Sequence, residues 1–300
     1  MNSQVTVEHV RFASSGVDLA GDLFHPASEV DGPRTAVVVA GAWRTVKEQM
    51  PARYARELAA RGFSALAFDF RSWGASGGRP RSMEDPLAKA DDLVAAAGYL
   101  AARSDVDRVA GLGICASGAY LASAAAKTSL FSSLALVAPA LPSRETVVAN
   151  LGGPQGVAAL RDAGREAREH YERTGEERLE PAVPRTDESL PADYFADPAR
   201  GAIPAWDNTF NPASWDQWLD YDAQASASRL TVPLLVVHSD AAASPESVRE
   251  FVAAVPEPVE QCWLDGVTQY DFYDRPGPVK TAADAVARHF TAVPSVHRQQ

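Results

Sequence analysis

The chain has 300 residues, 46% of them hydrophobic, and a formal net charge of −11 at pH 7. This length supports a large core and suits one α/β domain with an inserted subdomain. The acidic balance argues against nucleic acids and anionic membranes as partners, because both are bound by basic patches. No apolar run is long enough to span a membrane and no signal peptide is visible, so we expect a cytoplasmic protein.

The first half of the chain alternates apolar strands with helices. Two strands are predicted around a turn at residues 14–16, and the later strands are continuous apolar runs, which is typical of a buried parallel sheet. This alternation predicts βα units. The predicted strands are 4–12, 17–25, 35–41, 63–70, 108–114 and 133–139, and the predicted helices are 48–61 and 86–102.

The composition changes after the strand at 133–139. Residues 142–229 carry many charges and several prolines, with one predicted helix at 154–174. We therefore predict a mainly helical cap at 142–229, inserted into a core formed by 1–141 and 230–300. The core resumes with strands at 233–238 and 260–264 and helices at 245–254 and 279–292. The whole order predicts an α/β fold with a mostly parallel, doubly wound sheet.

A cysteine stands at the predicted junction between the strand at 108–114 and an alanine-rich helix. The run Gly113-Ile114-Cys115-Ala116-Ser117-Gly118 places small residues around Cys115, as a strained nucleophile elbow requires. A thiolate attacks ester and thioester carbonyls, and a following helix N-terminus lowers the thiol pKa. The alternative is an inert buried cysteine, which is our interpretation of Cys262. Both are expected to be free thiols.

Three motifs in chain order resemble those of α/β hydrolases. They are Gly41-Ala42-Trp43 after the third strand, the loop from Asp69 to Gly78, and the elbow around Cys115. A cysteine in the elbow is similar to dienelactone hydrolases. The whole pattern, including the run at 269–274, is similar to a bacterial subgroup that resembles fungal polyketide transferases, which move acyl chains rather than hydrolyse them. The resemblance implies an α/β-hydrolase fold that uses no metal or other cofactor.

This resemblance also implies where the oxyanion hole and the acid should lie. An oxyanion hole needs two fixed N–H donors. One is expected from the backbone of Ala116, and the other from Ala42 or Trp43 in the loop after the third strand. The usual acid position falls on Ala241, so the neighbouring Asp240 is the candidate acid, or else a loop-capping aspartate.

The position of the usual catalytic histidine holds Gln269. An amide donates and accepts hydrogen bonds but does not take up a proton at neutral pH, so Gln269 cannot be a general base. Asp271 is one candidate substitute base, or a solvated loop carboxylate. His238, at the end of a strand beside the expected site, is another, or a histidine that braces a loop. The predicted triad is therefore incomplete.

Aromatic residues of the cap are candidates for the substrate pocket. Besides Tyr270 and Asp271, the expected pocket residues are Trp206, Phe210, Trp215 and Trp218. The alternative for the cap aromatics is packing within the cap itself. An aromatic cap favours a sizeable, partly apolar ligand, such as a polyketide-like chain or an aromatic ester.

Three functions fit these features. The first is Cys-dependent acyl transfer or (thio)ester processing, with a small-molecule acyl substrate that is free or bound to a carrier or coenzyme A. The second is a cyclase, isomerase or lyase that uses the oxyanion donors without covalent catalysis. The third is a ligand-binding module without activity. The fold alone does not distinguish them. A homodimer is compatible with the sequence.

Overall fold

The computed structural model describes residues 5–26, 34–183 and 193–293. Within these ranges the strands form one eight-stranded sheet in the order β1-β2-β4-β3-β5-β6-β7-β8. The first two pairings, β1 with β2 and β2 with β4, are antiparallel, and all the others are parallel. The predicted mostly parallel α/β fold is therefore confirmed. Residue 4, in the first predicted strand, lies outside the described residues.

The strands agree with the sequence patterns to within a few residues. The third strand is buried at every position, as a strand covered on both faces must be. The bounds are Thr6–Ser14 (β1), Val17–His25 (β2), Thr35–Ala40 (β3), Ser64–Phe68 (β4), Arg108–Ile114 (β5), Phe131–Val137 (β6), Leu234–His238 (β7) and Glu260–Trp263 (β8).

Helices cover both faces of the sheet. Alternate residues of β3 divide between two cores on opposite faces: Val38 belongs to one and Val37 to the other. The bounds of these helices are Met50–Ala59 (α1), Pro86–Ala101 (α2), Ala116–Ala125 (α3), Pro245–Ala254 (α8) and Pro276–Ala292 (α10), and the short α9 is Asp271–Asp274.

Between β6 and β7 the chain leaves the sheet and forms further helices. The long α5 has the predicted position, and the shorter helices around it have no strong periodic pattern in the sequence. The bounds are Arg144–Asn150 (α4), Gly153–Thr174 (α5), Asp193–Ala196 (α6) and Trp215–Asp220 (α7), with 3₁₀ segments at Pro212–Ser214 and Ala223–Arg229. Residues 184–192 of the predicted cap lie outside the described ranges.

The parallel strands bring the candidate site residues to one edge of the sheet. Trp43 follows β3, Cys115 follows β5, Asp240 follows β7 and Gln269 follows β8. Loops that follow parallel strands meet at their carboxyl ends, where α/β proteins bind ligands. In the described part of the chain, no helix has both the length and the apolar character to cross a membrane.

Candidate active site

The turn at Cys115 has the backbone of a strained elbow. Cys115 has a positive φ of 54° with ψ −122°, a rare conformation for a residue with a side chain, directly before the first residue of α3. The glycines on either side allow this close packing. A Cβ at Gly113 would lie 2.5 Å from the carbonyl oxygen of Ser117, and a Cβ at Gly118 would lie 2.7 Å from the Cβ of Pro139. Larger residues at these two positions would force the turn apart.

The groups that face the Cys115 sulfur are hydrogen-bond donors. Burial raises the pKa of the Cys115 thiol above its usual value, and four interactions oppose this effect. They come from the Tyr273 hydroxyl, the backbone N–H groups of Ala116 and Trp43, and the Gln269 side chain. Of the two residues expected to provide the second oxyanion donor, Trp43 is therefore the one whose N–H faces the sulfur. These donors favour negative charge on the sulfur, but burial outweighs them, so the expectation that the helix N-terminus lowers the thiol pKa is wrong.

Three hydrogen bonds fix the Gln269 side chain. Its Oε1 accepts from the backbone N–H of Ala243 at 3.0 Å. Its Nε2 donates to the carbonyl oxygen of Ala138 at 2.9 Å and to the Tyr273 hydroxyl at 3.3 Å. The amide orientation follows from these partners, because Ala243 offers only a donor and Ala138 only an acceptor. Gln269 therefore presents N–H groups, and no lone pair, to the side of Tyr273 and Cys115.

Tyr273 is a functional candidate that the sequence analysis missed. Its ring is buried in α9, and its hydroxyl faces the Cys115 sulfur. Burial, with the nearby sulfur, raises the Tyr273 pKa well above its usual value, so the phenol stays protonated and acts as a donor. The available signal was its spacing of four residues after Gln269, which places both side chains on one side of a helical turn.

The other candidate polar residues have partners elsewhere. Asp240 is exposed, and its carboxylate pairs with Arg249. His238 is fully buried against the ring of Trp263, with 5.2 Å between ring centroids, and burial lowers its pKa to about 4. Among the described residues, neither Asp240 nor His238 hydrogen-bonds to Cys115 or Gln269. Asp271 accepts from the backbone and hydroxyl of Thr268. The structure thus brings none of the three predicted acids or bases to the sulfur as a hydrogen-bond partner.

An apolar cavity of about 160 Å³ opens beside Cys115. Its wall is formed by the elbow, by α3, by Trp43 after β3 and by residues of the segment between β6 and β7. No charged side chain lines it among the described residues. The lining residues are Trp43, Cys115, Ala116, Ala119, Tyr120, Ala140, Pro142, Val147, Trp218, Tyr221 and Ala223. A ligand bound here would be held mainly by apolar contacts.

The predicted pocket aromatics divide between the cavity and a neighbouring hydrophobic cluster. Trp218 lines the cavity and stacks on Trp43, with ring centroids 5.2 Å apart. Trp206, Phe210 and Trp215 pack behind Trp43 in a hydrophobic cluster that also includes Val46. Tyr270 packs on Tyr194, Phe195 and Tyr273 beside the site. Trp218 is thus the one predicted pocket aromatic found in the described wall of this cavity.

Known proteins resemble this chain in structure or in sequence. The structure of PA2218 from Pseudomonas aeruginosa superposes with a TM-score of 0.87 at 24% identity, over 98% of this chain and 95% of that one. The uncharacterised protein YcjY of Escherichia coli K12 is 28% identical over 89% of this chain and 91% of its own. The thiohydrolase aneE of Aspergillus aculeatus is 35% identical, over 41% of this chain and 39% of its own.

A family model described as the alpha/beta hydrolase family matches residues 36–282. This range contains every strand from β4 to β8, the elbow and the segment between β6 and β7. It also contains Cys115, Gln269 and Tyr273, so the candidate site lies within the matched region. The chain therefore belongs to the α/β hydrolase family.

Proposed function

We propose that Cys115 accepts an acyl group from a thioester or activated ester and passes it to a second small-molecule acceptor. One observation carries this proposal: the sulfur lies among donors from Trp43, Ala116, Tyr273 and Gln269, and no acid or base of the described residues hydrogen-bonds to it. Such a site stabilises the oxyanion of acyl capture. Among the described residues, none stands beside the sulfur as a base that would activate water.

Thioesters suit this site better than oxygen esters. The Cys115 sulfur attacks the acyl carbon, a new carbon–sulfur bond forms, and the bond to the leaving thiolate breaks. The proton of the Cys115 thiol ends on the departing sulfur, so the exchange is balanced without a net proton acceptor. The protonated Tyr273 hydroxyl stays beside the reacting sulfur and stabilises negative charge there by donating a hydrogen bond.

Hydrolysis of the acyl-enzyme should be slow. Water attacks a thioester efficiently only when a base removes its proton. Gln269 cannot do so, because its side-chain oxygen already accepts from Ala243 and its nitrogen carries only donors. An amine, hydroxyl or thiol acceptor bound in the site would have the advantage of proximity over bulk water.

The cavity beside Cys115 favours an uncharged acyl group about the size of one aromatic ring. Its volume is about 160 Å³. A dry apolar cavity of about 150 Å³ in another protein binds benzene. A carboxylate-bearing acyl group would be buried among apolar side chains without a partner, which is costly. We propose aromatic or short polyketide-like acyl groups, delivered as free thioesters or on a carrier or coenzyme A. The thiohydrolase relative supports thioester chemistry.

Intact-protein mass spectrometry tests the proposal. The wild type is incubated with benzoyl, decanoyl and succinyl thioesters of N-acetylcysteamine, and then with an added amine or thiol acceptor. We expect a benzoyl adduct that persists in buffer and disappears when the acceptor is added. Cys115→Ala should give no adduct. Cys262→Ala is the matched control, because Cys262 is the other free thiol and is also partly exposed. Absence of an adduct with all donors would refute covalent capture.

A second function is favoured by the raised pKa of Cys115. A neutral thiol with four neighbouring donors would bind an enolate oxygen without covalent bond formation, as in a cyclase or isomerase. The same experiment separates the two. Non-covalent catalysis predicts no adduct and activity that survives Cys115→Ser, whereas acyl transfer predicts an adduct that depends on the sulfur.

A further inference from the structure

The direction of the Trp43 N–H is set by a buried hydroxyl on the far side of its peptide group. The Thr45 hydroxyl donates to the carbonyl oxygen of Ala42 at 2.6 Å. This carbonyl and the Trp43 N–H belong to one planar trans peptide, so they point in opposite directions. Holding the carbonyl against Thr45 therefore turns the N–H toward the cavity, where it faces the Cys115 sulfur.

Gly41 makes room for this contact. A Cβ at Gly41 would lie 2.8 Å from the Thr45 hydroxyl oxygen and 2.7 Å from the ring of Pro51. Real side chains do not approach so closely, so the glycine is what allows the hydroxyl to reach the neighbouring carbonyl. Thr45 itself is 5% exposed, which shields the hydrogen bond from water.

The next peptide group of the same loop is held by a buried carboxylate. Arg44 has a positive φ of 60°, a conformation that costs energy for a residue with a side chain. Its N–H donates to Glu84 Oε1 at 2.6 Å. The same oxygen accepts from Lys89 Nζ at 2.7 Å, and both charged side chains are almost completely buried. The carboxylate thus fixes the turn that carries Trp43.

Glu84 also connects this turn to the cavity wall and to the cap. Its second oxygen lies 3.4 Å from the hydroxyl of Tyr120, a residue that lines the cavity. Its backbone N–H donates to the Ser214 hydroxyl at 2.8 Å, in the 3₁₀ segment before α7. Glu84 therefore links the loop after β3, the cavity beside Cys115 and the segment between β6 and β7.

We propose that Thr45 and Glu84 are positioning residues that aim the Trp43 N–H at the oxygen of the reacting carbonyl. The inference rests on the proposed acyl chemistry for its catalytic meaning. Its structural content, the direction of one N–H donor, is measurable without any acyl substrate, because the same donor stabilises the Cys115 thiolate.

The first test measures alkylation of Cys115 by iodoacetamide against pH in Thr45→Val and Thr45→Ser, in a Cys262→Ala background. Valine keeps the shape of threonine but removes the hydroxyl, whereas serine keeps the hydroxyl. We expect the thiol pKa to rise in Thr45→Val, so that alkylation below that pKa slows about threefold, while Thr45→Ser stays close to wild type. The rate at high pH, where the thiol is fully ionised, should be the same in all three.

The second test measures acylation by the benzoyl thioester. We expect Thr45→Val to be about tenfold slower than Thr45→Ser, which is less than the loss on deleting an oxyanion donor outright. Glu84→Leu with Lys89→Met should likewise be slower than Glu84→Gln with Lys89→Met, because both pairs remove the charges and only glutamine keeps an acceptor for Arg44. Melting curves establish that each variant is folded, and Thr45→Ala replaces Thr45→Val if the latter is not.

The outcomes separate the two proposals. Equal thiol pKa values in Thr45→Val and Thr45→Ser would overturn the positioning role, whatever the protein does with thioesters. A shifted thiol pKa together with no acylation of the wild type would support the positioning of the Trp43 N–H and refute the acyl-transfer function. A shifted pKa with slower acylation supports both.

Discussion

The Gln269 side-chain oxygen accepts a hydrogen bond from the backbone N–H of Ala243 at 3.0 Å. In a hydrolytic triad an acceptor must stand at this place, because a carboxylate holds the distal N–H of the histidine and leaves its other nitrogen free to take a proton. Here the partner is a donor. The loop after β7 therefore offers Gln269 a donor that suits its amide oxygen. It does not offer the acceptor that would hold a histidine at position 269.

Replacing Gln269 by histidine should not create a hydrolase. The nitrogen beside Ala243 would accept from its N–H, so the proton of the neutral ring would sit on the nitrogen that faces Cys115. We expect the lifetime of the acyl-enzyme in Gln269→His to stay within about threefold of wild type, whereas a working general base contributes about 10²–10⁴-fold. Intact-mass time courses give this lifetime. An acyl-enzyme lost a hundred times faster would show that Ala243 does not control the tautomer.

Removing the Tyr273 hydroxyl should make Cys115 less reactive. In Tyr273→Phe the ring remains, but the sulfur loses a donor that lowers its pKa. We expect slower iodoacetamide alkylation near neutral pH and a loss of about 1 kcal/mol in the free energy of unfolding. Tyr194→Phe is the matched control, since that ring packs 5.2 Å from Tyr273. Equal alkylation rates in the two variants would contradict the contact between Tyr273 and the sulfur.

The sheet and the elbow could be predicted from the sequence, and the reason lies in local patterns. Continuous apolar runs mark strands that are buried on both faces, and small residues around Cys115 mark a tight turn. Helix α1 begins at Met50 rather than at 48, because residues 47–49 form a turn. The short α4 was missed, since seven residues carry too little periodicity to be recognised.

The role of Tyr273 could not be predicted in the same way. Its position beside Cys115 depends on how α9 docks against the elbow, more than 150 residues away along the chain. The same holds for Glu84, whose carboxylate meets the backbone N–H of Arg44, 40 residues away along the chain. Contacts between distant segments leave no periodic signal in the sequence. In the sequence alone, Glu84 resembles an ordinary acidic residue near the start of a helix.

The buried His238 should make stability depend on pH. Burial lowers its pKa from 6.5 to about 4, so the folded protein excludes a proton that the unfolded chain binds. This contribution is present above about pH 6.5 and is lost as the pH falls toward 4, with an upper magnitude of about 3 kcal/mol. Urea unfolding at pH 7 and pH 4.5 should show a larger loss for wild type than for His238→Phe. Equal losses would place the acid sensitivity elsewhere.

Removing one partner of the ion pair between Lys89 and Glu84 should destabilise the fold more than removing both charges. The side chains of Lys89 and Glu84 are 1% and 0% exposed, and their charged atoms lie 2.7 Å apart. Lys89→Met leaves the carboxylate without its cation, so we expect a loss of about 3–5 kcal/mol in the free energy of unfolding. Adding Glu84→Gln should recover most of that loss. Urea denaturation of the single and double variants measures both, and a double variant no more stable than Lys89→Met would contradict the pairing.

Filling the cavity should change which acyl groups react. Ala119 lies on α3 in the wall of the cavity of about 160 Å³. Leucine at this position would occupy space that a ring-sized acyl group needs, while the donors around the sulfur would stay in place. We expect Ala119→Leu to slow acylation by the benzoyl thioester about tenfold and to leave acetyl transfer nearly unchanged, because steric overlap of even one or two methylene groups costs about 1–3 kcal/mol in a close-packed site. The ratio of benzoyl to acetyl rates measures this selectivity, and an unchanged ratio would mean that the acyl group binds outside the cavity.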